Sequence, residues 1–283
     1  QVIQYLKSKI MQLDVAPYDE RDDSGDLRYL DLRYSAARRE VQVTLITRHA
    51  AFPQSDALAR ALMRRFSFVT GVVQNINESR DNVIWGSSFR TLAGRSTLLD
   101  QIGHLKLVFP PGVFSQANPF TARKLYESVR AFAELHDRET VLDLYCGVGP
   151  ISLYLAPAAG QVWGVDESDL AIATAKQNAR RNGLGNCRFI GGDAIAALAG
   201  LKEAGVRFEV VIVNPPRKGI QAAALTALVD CNPAKLIYVS CDPRTLARDL
   251  ARLAAADYRI VRIQPFDMFP QTIEVEAIAL LEK

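Results

Sequence analysis

The run Thr140-Val141-Leu142-Asp143-Leu144-Tyr145-Cys146-Gly147-Val148-Gly149 joins a short β-prone stretch to an acidic strand end and a loop with two glycines. The glycines let the backbone turn tightly and approach a ligand at the start of the following helix. The third glycine of the dinucleotide fingerprint is absent, since Ser152 holds that position and Pro150 follows Gly149 directly. The stretch reads as the ligand loop of a doubly wound α/β domain without that fingerprint.

Toward the C-terminus, further apolar runs follow at Gln161 to Asp166, Cys187 to Ile190, Phe208 to Val213, Lys235 to Ser240, Tyr258 to Ile263 and Val275 to Leu281. Helical stretches such as Asp169 to Arg181, Ala222 to Asp230 and Pro243 to Ala255 alternate with them, which predicts a seven-stranded, mostly parallel sheet covered on both faces. No helix separates the last two runs, so the sheet should end in an antiparallel pair. Toward the N-terminus the pattern is α+β. It has β-like runs at Leu27 to Tyr34, Val41 to Thr47, Gly71 to Ile76, Val83 to Gly86 and Leu105 to Phe109, with a helix at Ser55 to Phe66. A helix from Asn118 to Glu134, with Asn118 as cap and Pro119 in its first turn, joins the two. The expected domains are 1–117 and 118–283.

A length of 283 residues gives a prior of about two domains. With 49% hydrophobic and 23% charged residues, the composition excludes a disordered tail or a disulfide-stapled miniprotein. Residues 1–115 hold 15 Lys+Arg against 12 Asp+Glu, and the remainder holds 19 of each, so the net charge of +3 belongs to the first part. Arg outnumbers Lys by 25 to 9. That bias fits contact with an anion such as RNA, but is too small to argue it alone.

No apolar stretch approaches the ~20 residues of a membrane span and no signal pattern opens the chain, so a cytoplasmic protein without membrane contact is expected; a monomer is expected as well. Cys146, Cys187, Cys231 and Cys241 form no CxxC pair and have no His at zinc-ligand spacing; they read as reduced thiols with no metal or iron–sulfur centre. The chain opens on Gln1, which leaves room for an upstream segment.

Asp166 ends the second strand, where ribose hydroxyls are gripped in such folds, and Asp193 follows the third, where it could meet an adenine amine or simply cap the next helix. Acidic first strand, glycine loop and acidic second-strand end together resemble class I S-adenosylmethionine-dependent methyltransferases. Asn214-Pro215-Pro216 resembles the amine-accepting segment of amino-methyltransferases, but Arg217 stands where those enzymes place an aromatic residue. Methylating carbon 5 of a pyrimidine instead requires a thiolate to add at carbon 6 first, and a base to remove the carbon-5 proton afterwards. Cys241, in Ser240-Cys241-Asp242-Pro243, lies at the C-terminal edge of the sheet, where the helix beginning near Pro243 would lower its pKa. Glu276, a carboxylate entering an apolar strand, is the candidate base; its bland reading is a solvent-facing edge residue.

The segments DLYCGVG, NPPRKG, SCDPRTLARDL and FDMFPQTIEVE, with GVVQNIN and FSQANP upstream, resemble the RNA uracil-5-methyltransferase family. The likeness runs from about Arg28 to the C-terminus. It implies S-adenosyl-L-methionine as cofactor, RNA as substrate, Cys241 as nucleophile and Glu276 as base. It places cofactor contacts at Gln116, Tyr145, Gly147, Gly149, Asp166, Asp193 and Asn214, and leaves Cys146 structural. Three positions depart from the common pattern. Asn214 replaces an Asp and is most like the branch acting on uridine 747 of 23S rRNA, which favours rRNA over the tRNA thymine-54 type. Glu274 stands where a His often precedes the base, and Pro150 replaces a polar residue. Asn75, Asn77 and Arg80 are plausible RNA contacts or a simple turn. The competing readings are an amino-methyltransferase and a non-catalytic RNA-binding module.

Overall fold

In the computed structural model, which describes residues 1–283, the chain divides into two units. One comprises Gln1–Gln101 and Val108–Gly112, the other Ile102–Leu107 and Val113–Lys283. Residues 102–107 and 113–117, expected in the first domain, group with the second. Val113 is buried, and Phe114, Ser115 and Gln116 share the wall of a concavity with Tyr126 and Asp143.

The first unit runs α1 (Val2–Gln12), β1 (Leu27–Ser35), β2 (Glu40–Thr47), α2 (Ser55–Arg65), β3 (Val69–Ile76) and β4 (Ser88–Gly94). The sheet order is β1-β2-β3-β4. Strands β2 and β3 are parallel, with α2 as their crossover, and the other two pairings are antiparallel. Buried Val43 and Leu45 of β2 join Leu58, Ala59 and Leu62 of α2 in one core, because the period of two and the helical spacing each turn one apolar face inward. β5 (Leu98–Ile102) and β6 (Leu105–Phe109) form a two-stranded ribbon.

The strand expected at Val83–Gly86 is a loop, and β4 begins only at Ser88. Asn77 Nδ2 donates to the carbonyls of Val83 and Ile84 at 2.6 and 3.0 Å, and Asn75 Oδ1 accepts from the Gly86 amide at 2.9 Å. Side chains thus take the backbone groups a ladder would need. Helix α1, with only Val2 and Leu6 buried, was not anticipated.

The second unit runs α3 (Pro119–Ala133), β7 (Thr140–Leu144), α4 (Pro150–Leu155), β8 (Gln161–Asp166), α5 (Asp169–Arg181), β9 (Cys187–Gly191) and α6 (Ala194–Glu203). It continues with β10 (Val210–Val213), α7 (Ala222–Asp230), β11 (Lys235–Ser240), α8 (Pro243–Ala254), β12 (Arg259–Phe266) and β13 (Glu276–Glu282). Asn118 caps α3 by accepting from the Phe120 and Thr121 amides, and Glu134 ends it in a left-handed conformation. The seven-stranded sheet has the order β12-β13-β11-β10-β7-β8-β9. Five strands are parallel; β13 is antiparallel to both β11 and β12. This is the Rossmann-like α/β architecture of class I methyltransferases.

Leu142, Leu144, Val211, Val213, Leu236 and Tyr238 make the strand core, against which α8 sets Leu246, Leu250 and Leu253. The chain leaves β7 toward β8 on one side and later returns to place β10 on the other. The crevice so created, beyond the C-terminal ends of these strands, is where loops can surround a ligand.

Candidate active site

The loop after β7 turns through three left-handed residues, Tyr145 (φ 64°), Gly147 (φ 55°) and Gly149 (φ 85°). A methyl group at Gly147 would meet nothing within 4 Å, so the backbone there borders open space. One at Gly149 would press on the Phe189 ring at 3.2 Å and on Ala175. Asp166 fixes the loop: its Oδ2 accepts from the Gly147 amide at 2.8 Å and its Oδ1 from Ser168 at 3.0 Å. Each oxygen retains a lone pair for a further donor. Cys146 is buried, and its sulfur would be 3.0 Å from a methyl placed at Gly164; burial holds the thiol well above its ordinary pKa, consistent with a packing role.

Two concavities meet at Tyr145. One is lined by Asp166, Glu167, Gly192, Asp193 and Pro216, the other by Phe114, Gln116, Asp143, Gly147 and Asn214. The structure thus gathers Asp166 and Asp193 in one concavity and Gln116, Gly147 and Asn214 in the other, with Tyr145 common to both and Gly149 behind the loop. Asp193 also caps α6, accepting from the Ile195 and Ala196 amides at 2.8 and 3.2 Å.

Asp143, absent from the sequence-derived site, forms part of this wall. Its Oδ2 accepts from the amide and hydroxyl of Ser152 at 3.0 and 2.6 Å, while its buried Oδ1 has no partner. Burial, with the Asp166 charge adding to it, pushes this carboxyl up to about 7. An orphan carboxylate oxygen beside an open glycine is a place for a cationic or hydrogen-donating ligand group.

Cys241 and Glu276 come together through strand register. Ser240 of β11 pairs with Ala277 of β13, so the next step along the antiparallel ladder sets Cys241 opposite Glu276. Glu276 is only 3% exposed, on a strand flanked on both sides; the edge-residue reading is thereby excluded. Burial pushes its carboxyl up to about 7, opposed by a contact with Gln116. The phenol of buried Tyr126 is raised chiefly by burial and then by the charges of Asp143 and Glu276, so these carboxyls share one neighbourhood.

The expected lowering of the Cys241 pKa is not found. Burial, and next the Glu276 charge, raise the thiol; Arg217, and after it a backbone amide hydrogen bond, work the other way without offsetting them. The helix start gives no net help because Asp242 already occupies it, accepting from the Arg244 and Thr245 amides with a full negative charge. Arg217 makes an ion pair with Glu274 at 3.2 Å. Its backbone carbonyl accepts from the Thr245 hydroxyl, and buried Asp249 accepts from the Ile220 amide and the Tyr238 hydroxyl, pinning the Asn-Pro-Pro loop. In the sequence Arg217 reads only as a missing aromatic residue; a cation directly after the strand-end prolines is the available signal.

In the first unit, Asn75 and Asn77 are fully buried and bonded to their own loop, so they are not RNA contacts. Arg80 is exposed and paired with Asp23 at 2.7 Å. No helix is long and apolar enough to cross a membrane.

The sequence pattern of the tRNA (Uracil-5-)-methyltransferase family matches residues 97–283. An uncharacterized RNA methyltransferase of Halalkalibacterium halodurans is 40% identical over 99% of this chain and 61% of its own length. One from Geobacter sulfurreducens is 41% identical over the whole chain and 57% of its length. The chain thus spans about three fifths of these relatives. Among solved structures, Pyrococcus abyssi tRNA (uracil-54, C5)-methyltransferase in complex with S-adenosyl-L-homocysteine superposes with a TM-score of 0.79 at 30% identity, covering 99% of this chain and 66% of that one. A Streptococcus mutans methyltransferase (TM-score 0.58, 13% identity, 99% and 80% covered) shares the fold. With its matched pattern spanning the glycine loop, Cys241 and Glu276, the chain belongs to the tRNA (uracil-5-)-methyltransferase family, a family of S-adenosylmethionine-dependent RNA methyltransferases.

Proposed function

We propose that this chain methylates carbon 5 of a uridine in RNA, with Cys241 as nucleophile and Glu276 as base. The observation that carries the reading is the register of β11 against β13, which sets a thiol opposite a buried carboxyl at the sheet's C-terminal edge. The residues fit S-adenosyl-L-methionine: Asp143 offers an orphan oxygen, Gly147 open space, and Asp166 and Asp193 carboxylates in the concavity that adjoins at Tyr145. Gln116, Tyr145 and Asn214 would complete its surround. When bound, it supplies an electrophilic methyl group.

The Cys241 thiolate adds to carbon 6 of the uracil, forming a C–S bond and moving the ring π-electrons onto carbon 5 and the O4 enolate. Arg217 stabilises the thiolate before attack. Once carbon 5 carries the methyl group, the Glu276 carboxylate takes its remaining proton, the C–H electrons restore the C5–C6 double bond, and Cys241 departs as thiolate. A carboxyl near 7 suits a group that must be ionised to accept this proton and neutral once it holds it.

Cys241→Ala decides between this chemistry and exocyclic amine methylation. It should abolish methylation and every protein–RNA adduct, whereas an amine methyltransferase acting through Asn214 would keep its activity. Between RNA classes, the pattern around Asn214 favours 23S rRNA, while the solved relative carries a tRNA name. Mass spectrometry of 5-methyluridine in treated 23S rRNA and bulk tRNA separates the two, and survival of activity in Cys241→Ala overturns the mechanism.

A further inference from the structure

Loop 77–87 of the first unit is held by an unusual number of side-chain bonds. Buried Asn75 exchanges bonds with Gly86 and donates to Ser88, at 2.9 to 3.1 Å. Buried Asn77 donates to Val83 and Ile84 and accepts from the Ser79 amide and hydroxyl. The Arg28 guanidinium donates to the carbonyls of Asn77, Ser79 and Asp81. A methyl at Gly86 would lie 1.8 Å from the Ile76 carbonyl, so the loop closes on its own strand with no room for a side chain.

Yet this rigid loop turns apolar groups outward: Val83 and Ile84 are exposed, and Trp85 is only half-buried. Rigid backbone with outward apolar side chains is the arrangement of a preorganised binding loop. The loop itself, with the end of β3, lines a cavity of about 460 Å³. That is within the ~300–1,000 Å³ of small-molecule sites. Trp85 forms one wall, with Glu78, Ser79, Asp81, Ser87 and Ser88 supplying carboxylates and hydroxyls. The Phe89 ring lies 6.2 Å from Trp85, tilted 32°, and the Arg33 guanidinium sits 5.8 Å from the indole. An indole backed by a cation and a second ring is a stacking platform, and rim carboxylates accept from exocyclic amines.

We propose that this cavity is a base-binding site, which takes an unpaired, amine-bearing nucleobase of the RNA against the indole of Trp85. The inference rests on the RNA-methylating function above and gives the first unit a role in holding a nucleotide other than the target uridine, since uracil carries no amine. Arg90, exposed beside Phe89, supplies positive charge for a flanking phosphate.

The test uses the full chain with Trp163→Phe, which leaves Trp85 as the sole indole. Titration with polycytidylate and polyadenylate should quench its emission at lower concentration than polyuridylate does. Trp85→Ala should weaken binding of these polymers by about 5- to 150-fold, the range of one lost base stack. Trp85→Phe, which keeps a ring, should stay within about five-fold of the parent. Glu78→Gln should narrow the preference for cytidine and adenosine over uridine. No quenching, or Trp85→Ala within two-fold of the parent with an unchanged circular dichroism spectrum, overturns the site. Quenching by polyuridylate equal to the others overturns the amine-reading assignment. A chain that methylates uridine without a Trp85 response refutes the site alone. One that shows the Trp85 response but forms no 5-methyluridine supports the site and refutes the reaction.

Discussion

Replacing Glu276 with Gln should make the second unit more stable while halting turnover, and the gain should grow with pH. Glu276 is 3% exposed, and its carboxyl sits at about 7 against an ordinary 4.5, burial being the main cause. That gap corresponds to a penalty of about 3 kcal/mol on the ionised form in the folded state. Because the folded pKa lies above the unfolded one, the carboxyl's favourable contribution is complete below about 4.5 and lost as pH rises through about 7. Gln keeps the shape and never ionises. The difference in unfolding free energy, variant minus parent, should therefore rise from near its low-pH baseline at pH 4.5 by up to about 3 kcal/mol at pH 8. Urea denaturation at the two pH values measures it. The same variant should still add to RNA and accept a methyl group, then stall as an adduct that survives denaturing electrophoresis. A stability difference that stays flat between pH 4.5 and 8, or falls, would refute the buried-carboxyl argument. Product release at the parent's rate would refute the base assignment.

Arg217→Ala should raise the Cys241 thiol further and slow its alkylation by iodoacetamide at pH 7.5 by about three- to ten-fold, since Arg217 counters burial and the Glu276 charge; an unchanged pH profile would remove Arg217 from the site. Asp166→Ala should weaken S-adenosylmethionine binding by about 1–3 kcal/mol in calorimetry, through the loosened Gly147 amide as well as any direct bond. Asn75→Ala should cost about 2 kcal/mol or more and speed hydrogen exchange at the Gly86 amide, because three bonds from the buried Asn75 side chain to the loop disappear together.

Much of the second unit was legible in the chain. The alternation of apolar runs and helical stretches specified all seven strands, and Asn118 with Pro119 marked the start of α3, because each signal is local: a side chain, its own backbone and a period. The nucleophile and base were legible as residue types at the ends of strands. That they meet is a tertiary fact, since Cys241 and Glu276 are paired only once β13 inserts antiparallel between β11 and β12. The raised thiol followed the same logic. Sequence shows a helix beginning at Pro243, but only the folded site shows its first amides taken by Asp242 and the thiol set against a buried carboxyl. In the first unit, Val83–Gly86 has strand-like composition and becomes a loop because Asn75 and Asn77 claim its backbone groups. Periodicity reports which face a segment would bury, whereas the partners that satisfy its polar groups and set its charges come from residues distant in sequence, and only the fold selects them.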